Sequence, residues 1–436
     1  MYNLCTSRGG GMVDAQLLKS CDRNSHAGSI PAPGTIYLGK PLMDQIQIAD
    51  RNIKLYIFIR IFAKRVFLPL SAIFFIENAG FSILDIGLLS AFYSVVQLVA
   101  EVPTGYFADK IGRVASIRLG ALSCIFATLC YVIFQHKTGI FAGTFFEALG
   151  YSFLGGAGEA LIHDSLVAKK IEHNYTKYMS KTMSLSLIAN AILVSLVPMT
   201  YAFNPRYPFM IGTLAYGLLY LSTLYMHDLN RVASRREFNF SQFGQIIGRK
   251  NILIFGLTFG IISALYTSSV DMINVAMKDY GIRPDLLGWV FGLSSVAGAL
   301  IGPLIHYLRR ISLSSYLILD TSILLSVFLA AFSRNGYLLA FIMIASISIW
   351  RYRKIIYQSY LLQIFPTSYK ATLISSMNNL EQLNSIWLPI MITFFITHSS
   401  IPHGFGYLFL FTLCIAPIFY LSSLKFFTRA QSHTSS

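Results

Sequence analysis

After a polar start, the chain settles into one rhythm. From about Ile53 to Phe427, apolar runs of roughly 20 residues alternate with short polar breaks. A run of that length crosses the hydrocarbon core of a bilayer as an α-helix. Twelve runs can be marked, at about 53–77, 84–107, 115–135, 139–162, 181–203, 207–227, 251–273, 286–307, 314–332, 337–362, 373–396 and 405–426. The expected fold class is an all-α polytopic membrane protein with twelve transmembrane helices.

Composition points the same way. Apolar residues make up 55% of the chain, charged residues 12%, and the mean hydropathy is +0.59, against about 25% charge in a typical soluble domain. A soluble fold has no place to bury that much apolar surface. Charge placement then orients the helices. With Ile53 at the inner face, the loops at 107–115, 163–181, 228–250, 308–314 and 363–372 hold 14 Lys or Arg, and the opposite loops hold only Lys137, Arg206, Lys278, Arg283 and Arg334. By the positive-inside rule both termini are expected in the cytoplasm. The net charge of +15 is thereby explained by topology and contact with anionic membrane lipids, and no nucleic-acid partner is needed.

A shift in composition near residue 228 divides the chain. The Arg- and Ser-rich stretch 228–250 reads as a cytoplasmic linker between two six-helix halves, 43–227 and 251–427, with a short tail at 428–436. Residues 1–42 fit neither half. They are rich in Gly and Ser and lack the continuous apolar core of a secretory signal. Gly28-Ser-Ile-Pro31 is encodable as GGT TCG ATT CCC, the T-arm of a transfer RNA gene, so an extension read through a neighbouring gene is expected, with translation starting at Met43.

Between the second and third runs lies Gly105-Tyr-Phe-Ala-Asp109-Lys-Ile-Gly112-Arg113, preceded by Glu101-Val-Pro-Thr104. The two glycines permit a tight hairpin and close helix approach, and Asp109 and Arg113 set opposite charges at helix ends. This pattern resembles the signature loop of the major facilitator superfamily of transporters, and the Glu-Val-Pro-Thr-Gly prefix resembles its bacterial efflux-type members. Gly302 to Arg310 occupies the place of a second, degenerate copy without an aspartate, and Pro366 to Ser375 resembles the family's entry into helix 11. The resemblance covers about residues 51–427. It implies two pseudo-symmetric halves, a bacterial inner-membrane location, and a gate in which Asp109 meets the start of helix 11 while Arg113 pairs with an acid at the end of helix 4, here Asp164. The plainer reading of the loop is a topological device.

Charges inside apolar runs are costly, roughly 2.5–3.5 kcal/mol at the bilayer centre, so they mark functional candidates. Arg60 and Lys64 stand four apart in the first run and are expected on one water-lined face, with Arg65 beside them. Glu101, Glu147, Glu159, Asp271 and Glu381 are candidate acids within or near the ends of other runs. Arg353 and Lys354 are expected to snorkel to the cytoplasmic surface, whereas Arg60 and Arg351 are expected deep in a cavity suited to an anionic or zwitterionic substrate. His163 beside Asp164 reads as a polar helix end.

Two departures from the resembled exporters stand out. The stretch 138–163 contains no Arg or Lys, and 182–204 contains no Gly and a solitary Pro198. Proton exchange is then expected through Glu147 or Asp271. Neither a metal nor a cofactor motif is present, no disulfide is expected from Cys124, Cys130 or Cys414, and the reading is of a monomeric transporter rather than an enzyme. The expected activity is alternating-access movement of a small solute with a coupling ion, the proton, export being preferred to import of an anionic nutrient. A polytopic membrane enzyme would need an acid or His cluster on one face, which is not seen.

Overall fold

A computed structural model of the chain describes residues 42–229, 250–302, 312–364 and 370–434. The expected N-terminal extension, most of the linker, the degenerate second loop and part of Pro366 to Ser375 lie outside the described residues. Fourteen α-helices occur among those described: α1 (Leu42–Phe62), α2 (Ser71–Ala79), α3 (Ile83–Lys110), α4 (Arg113–Ile133), α5 (Lys137–Leu154), α6 (Ala157–Ala168), α7 (Tyr175–Met199), α8 (Tyr207–Leu224), α9 (Lys250–Asp279), α10 (Leu287–Ile301), α11 (Leu313–Phe332), α12 (Gly336–Ile364), α13 (Lys370–Thr397) and α14 (Ile401–Thr434). Eight of the described helices are long and apolar enough to cross a membrane.

Two runs that read as continuous are broken. The first stops at Phe62, leaves helical geometry over Ala63–Phe67 and resumes through a 3₁₀ turn at Leu68–Leu70 into α2. Pro69 explains the break, because it has no N–H to give a helical carbonyl and its ring crowds the preceding turn. Arg60 and Lys64 therefore do not share one helical face: Arg60 is in the last turn of α1 and Lys64 in the break. The fourth run divides into α5 and α6 at Gly155-Gly156, where Gly156 has φ +72°, a left-handed conformation that glycine adopts without a Cβ clash.

Helix ends carry their own caps. Ser82 Oγ accepts from Asp85 N–H at 3.2 Å while Asp85 Oδ2 accepts from Ser82 N–H at 2.8 Å, a capping box that starts α3. Lys137 Nζ meets the same carboxylate at 2.7 Å, tying the start of α5 to that of α3.

The segments before residue 229 and after residue 250 meet mainly through α3 against α13 and α7 against α10. Small residues bring these helices close. A Cβ on Gly87 would strike the Thr393 hydroxyl and the Pro389 carbonyl, one on Gly288 the Val194 carbonyl and Pro198, and one on Gly292 Ser195. All these contacts lie at one end of the bundle, the end of the Gly80 turn. There Glu77 forms an ion pair with Lys278 and accepts from the Tyr201 hydroxyl at 2.6 Å. Beneath it a buried aromatic cluster packs Phe67, Phe74, Phe75, Tyr131 and Phe209, with the Phe74 and Phe209 rings 4.4 Å apart.

Candidate functional site

The Pro69 break places Arg65 at the wall of a cavity of about 490 Å³ between the two parts of the chain. The earlier part contributes Arg65, Tyr93, Glu101, Tyr131, Thr144 and Glu147, and the later part Asp271, Lys354, Asn378, Glu381, Gln382 and Pro389. Helical spacing explains the convergence. Thr144 and Glu147 lie three apart on α5, and Asn378, Gln382, Ser385 and Pro389 line one side of α13. Pro389 forms the floor, because its carbonyl abuts Gly87 at the closed end. Toward the Gly112 end the lining includes the exposed Glu101.

Arg65 Nε is 2.9 Å from Glu147 Oε1, an ion pair in which Glu147 is buried. Its guanidinium also lies 4.5 Å from the Tyr93 ring centre and 4.6 Å from that of Tyr151, so two electron-rich rings hold the cation. The Tyr131 hydroxyl donates to Glu147 Oε2 at 2.8 Å. Across the cavity, Ser263 Oγ donates to Glu381 Oε1 at 2.6 Å. Four carboxylates, Glu101, Glu147, Asp271 and Glu381, thus face the cations Arg65 and Lys354 in one space. In a low-dielectric surrounding such an array can exchange a proton or a solute contact between acids, since each change of charge is felt strongly by its neighbours.

A second cavity, about 290 Å³, lies on the other side of the break. Lys64, Arg65, Tyr151, Asn190, Ser295 and Arg351 provide its polar lining, and no acid does. Arg351 Nη2 donates to Ser295 Oγ at 3.0 Å.

At the Gly112 end, Arg113 Nη1 stands 2.7 Å from Asp164 Oδ2, and His163 Nδ1 is 3.9 Å from Asp164 Oδ1. The start of α4 is capped from elsewhere in the chain: Asp228 Oδ1 accepts from the backbone N–H groups of Arg113 at 2.8 Å and Val114 at 3.1 Å. Gly112 makes room for it. Its φ is +151°, and any Cβ there would collide with the Asp228 carboxylate. Gly105 differs, since a Cβ there meets no described atom within 4 Å, so in this state it does not serve close helix approach. Asp109 is exposed in the last turn of α3.

Residues 55–389 match the sequence profile of the Major Facilitator Superfamily. The chain belongs to this superfamily. A Bacillus subtilis (strain 168) relative, the uncharacterised MFS-type transporter YxaM, is 27% identical over 336 residues, 72% of this chain and 80% of that protein. Among solved structures, a mutant form of the nucleoside transporter NupG covers 87% of this chain and all of its own at TM-score 0.75 and 11% identity. A D-xylose-proton symporter covers 89% and 98% at TM-score 0.64 and 11% identity. At such identities these structures share the superfamily's fold with this chain. The protein is accordingly a membrane transporter of the superfamily and not an enzyme.

Within that fold, several expected positions are redrawn. Arg60 lines neither cavity but stands 3.7 Å from Glu159, which is exposed, because α1 ends at Phe62 and the chain turns away. Arg353 does not snorkel. It is 2% exposed, with Nε 2.7 Å from Asp320 Oδ2 and Nη2 donating to the Phe259 carbonyl at 3.1 Å, so a buried acid on α11 retains it. Lys354 lines the larger cavity. Arg65 was named only beside Arg60 and Lys64, and Asp228 and Asp320 were not singled out from sequence. Asp320 carried a readable signal, a lone acid in the apolar run 314–332.

Proposed function

We propose that the protein is a secondary active transporter that moves a small polar solute by alternating access, with the larger cavity as its central site. The observation that supports this most directly is the floor made by Pro389 against Gly87 beneath a charged cavity shared by both parts of the chain. A cavity closed at one end and reachable from the other is what one state of such a carrier requires. With the Gly80 end outward, as the loop charges imply, this state opens to the cytoplasm, and both termini lie there. One chain supplies the whole site, which suits a monomer in the inner membrane surrounded by lipid.

Glu147 and Asp271 are the proposed proton carriers. Protonation of Glu147 would weaken its hold on Arg65 and free that cation for solute. Asp109, Arg113 and Asp164 act as the gate: Asp109 engages the start of α13 in the outward-facing state, when the cytoplasmic side is closed, while Arg113 pairs with Asp164. Export is the preferred direction, supported by the Glu101 to Gly105 prefix. Import of an anionic nutrient is the second reading, favoured by the cations of the smaller cavity.

Mass spectrometry of labelled metabolites in cells lacking or overproducing the protein tests this. At least one small solute should change oppositely in the two strains, and the change should vanish when Glu147→Gln is overproduced. Identical metabolite profiles in all three would overturn the reading.

A further inference from the structure

The smaller cavity is chemically the opposite of the larger one. Arg65 already has its counter-charge in Glu147 at 2.9 Å. Lys64 and Arg351 do not. Among the described residues neither has an acidic partner, Arg351 holds only the neutral Ser295 hydroxyl, and its buried Nε has no hydrogen-bond partner. Two like charges from different parts of the chain thus face one space of about 290 Å³ within the membrane-spanning bundle. Lys64 is exposed and Arg351 half-buried, and charges within a membrane-spanning bundle are normally found beside their opposites. The missing element is an anion.

We infer that the smaller cavity is an anion site, distinct from the central one, which binds the carboxylate or phosphate group of a small molecule between Lys64 and Arg351. Arg351 supplies its guanidinium and Lys64 a point charge. Asn190 and Ser295 are the neutral polar groups that accompany them. Lys64 precedes residue 229 and Arg351 follows residue 250, so the bound anion links the two parts of the chain. The site stands whatever the direction of transport and whatever occupies the larger cavity. Its occupant is either the anionic end of the transported solute or a separate co-ion.

Thermal unfolding of the purified full chain in detergent tests this, with inorganic phosphate and succinate as ligands and chloride at matched ionic strength as control. At least one oxyanion should raise the unfolding midpoint saturably beyond chloride. Lys64→Gln and Arg351→Gln should each weaken the apparent affinity by roughly tenfold or more, the loss of one charge-assisted contact. Arg351→Lys should restore part of it, and Arg206→Gln, in an exposed loop outside both cavities, should leave it unchanged. Should Arg351→Gln fail to fold, Lys64→Gln carries the test alone, since Lys64 has no acidic partner among the described residues to lose. Uptake of the labelled anion into proteoliposomes separates the two sources: accumulation marks a transported anion, and binding without accumulation a resident co-ion. No saturable shift with either oxyanion, or a shift that survives both glutamine variants, would overturn the proposal.

Discussion

Arg65 touches both cavities, one carboxylate and two tyrosine rings. Replacing it with Gln leaves Glu147 buried beside Tyr131 without a cation, a change that costs roughly 3–5 kcal/mol when a buried pair is broken. Arg65→Gln is therefore expected to lower the unfolding midpoint and abolish transport, while the double variant with Glu147→Gln regains stability but not transport. Arg65→Lys should recover little, because a compact ammonium cannot lie flat against two rings. Equal stability of all four proteins would refute the role assigned to the pair. At the other end, exchanging Arg113→Asp with Asp164→Arg should restore part of the transport that each single change removes, with a coupling of about 0.5–3 kcal/mol; strictly additive losses would place the two groups out of functional contact. Sequence reasoning could mark Glu147 and Asp271 because a charge in an apolar run is conspicuous. It named Arg65 only beside Arg60 and Lys64, because helical spacing assigned the water-lined face to those two, and that spacing loses meaning where the helix is broken.

Breaks and close approaches are properties of elements. Pro69 was visible in the sequence, but a proline alone does not say whether a helix kinks or stops, nor that the stop leaves Lys64 and Arg65 at cavity walls. Glycine contacts are equally illegible, since Gly87, Gly288 and Gly292 become meaningful only when α3 meets α13 and α7 meets α10. Their geometry makes a sharp prediction. Gly292→Leu places a side chain where Ser195 and the Ala191 carbonyl already sit, so α7 and α10 cannot close and the carrier should be held with its Gly80 end open. A cysteine introduced at Ser385 in the cavity should then react with an impermeant maleimide from the outer side in Gly292→Leu but not in the parent; unchanged labelling would show that these glycines do not set the closure.

For the whole molecule, the hydrophobic rhythm and the loop at Gly105 to Arg113 carried the fold, because apolar length and a motif tied to helix ends are local signals. The division of charge between two cavities was not legible, since it depends on which helices face one another. Orientation can be checked directly: fluorescent protein, active only in the cytoplasm, should fluoresce when fused after Ser436 and stay dark when inserted at Gly336, and the reverse pattern would invert the molecule. The Asp320 and Arg353 pair reaches further, to how the chain is made. α12 carries Arg351, Arg353 and Lys354 and is not among the eight helices apolar enough to cross a membrane unaided. At roughly 2.5–3.5 kcal/mol per central charge, it is a poor substrate for insertion by itself. Asp320 sits one helix earlier in α11, which emerges from the ribosome first and must wait beside the insertion machinery to receive Arg353. The two helices then enter lipid as a hairpin. A defect at Asp320 would accordingly appear during biosynthesis, as a fourth helix of the later half stranded at the surface, before any question of transport arises.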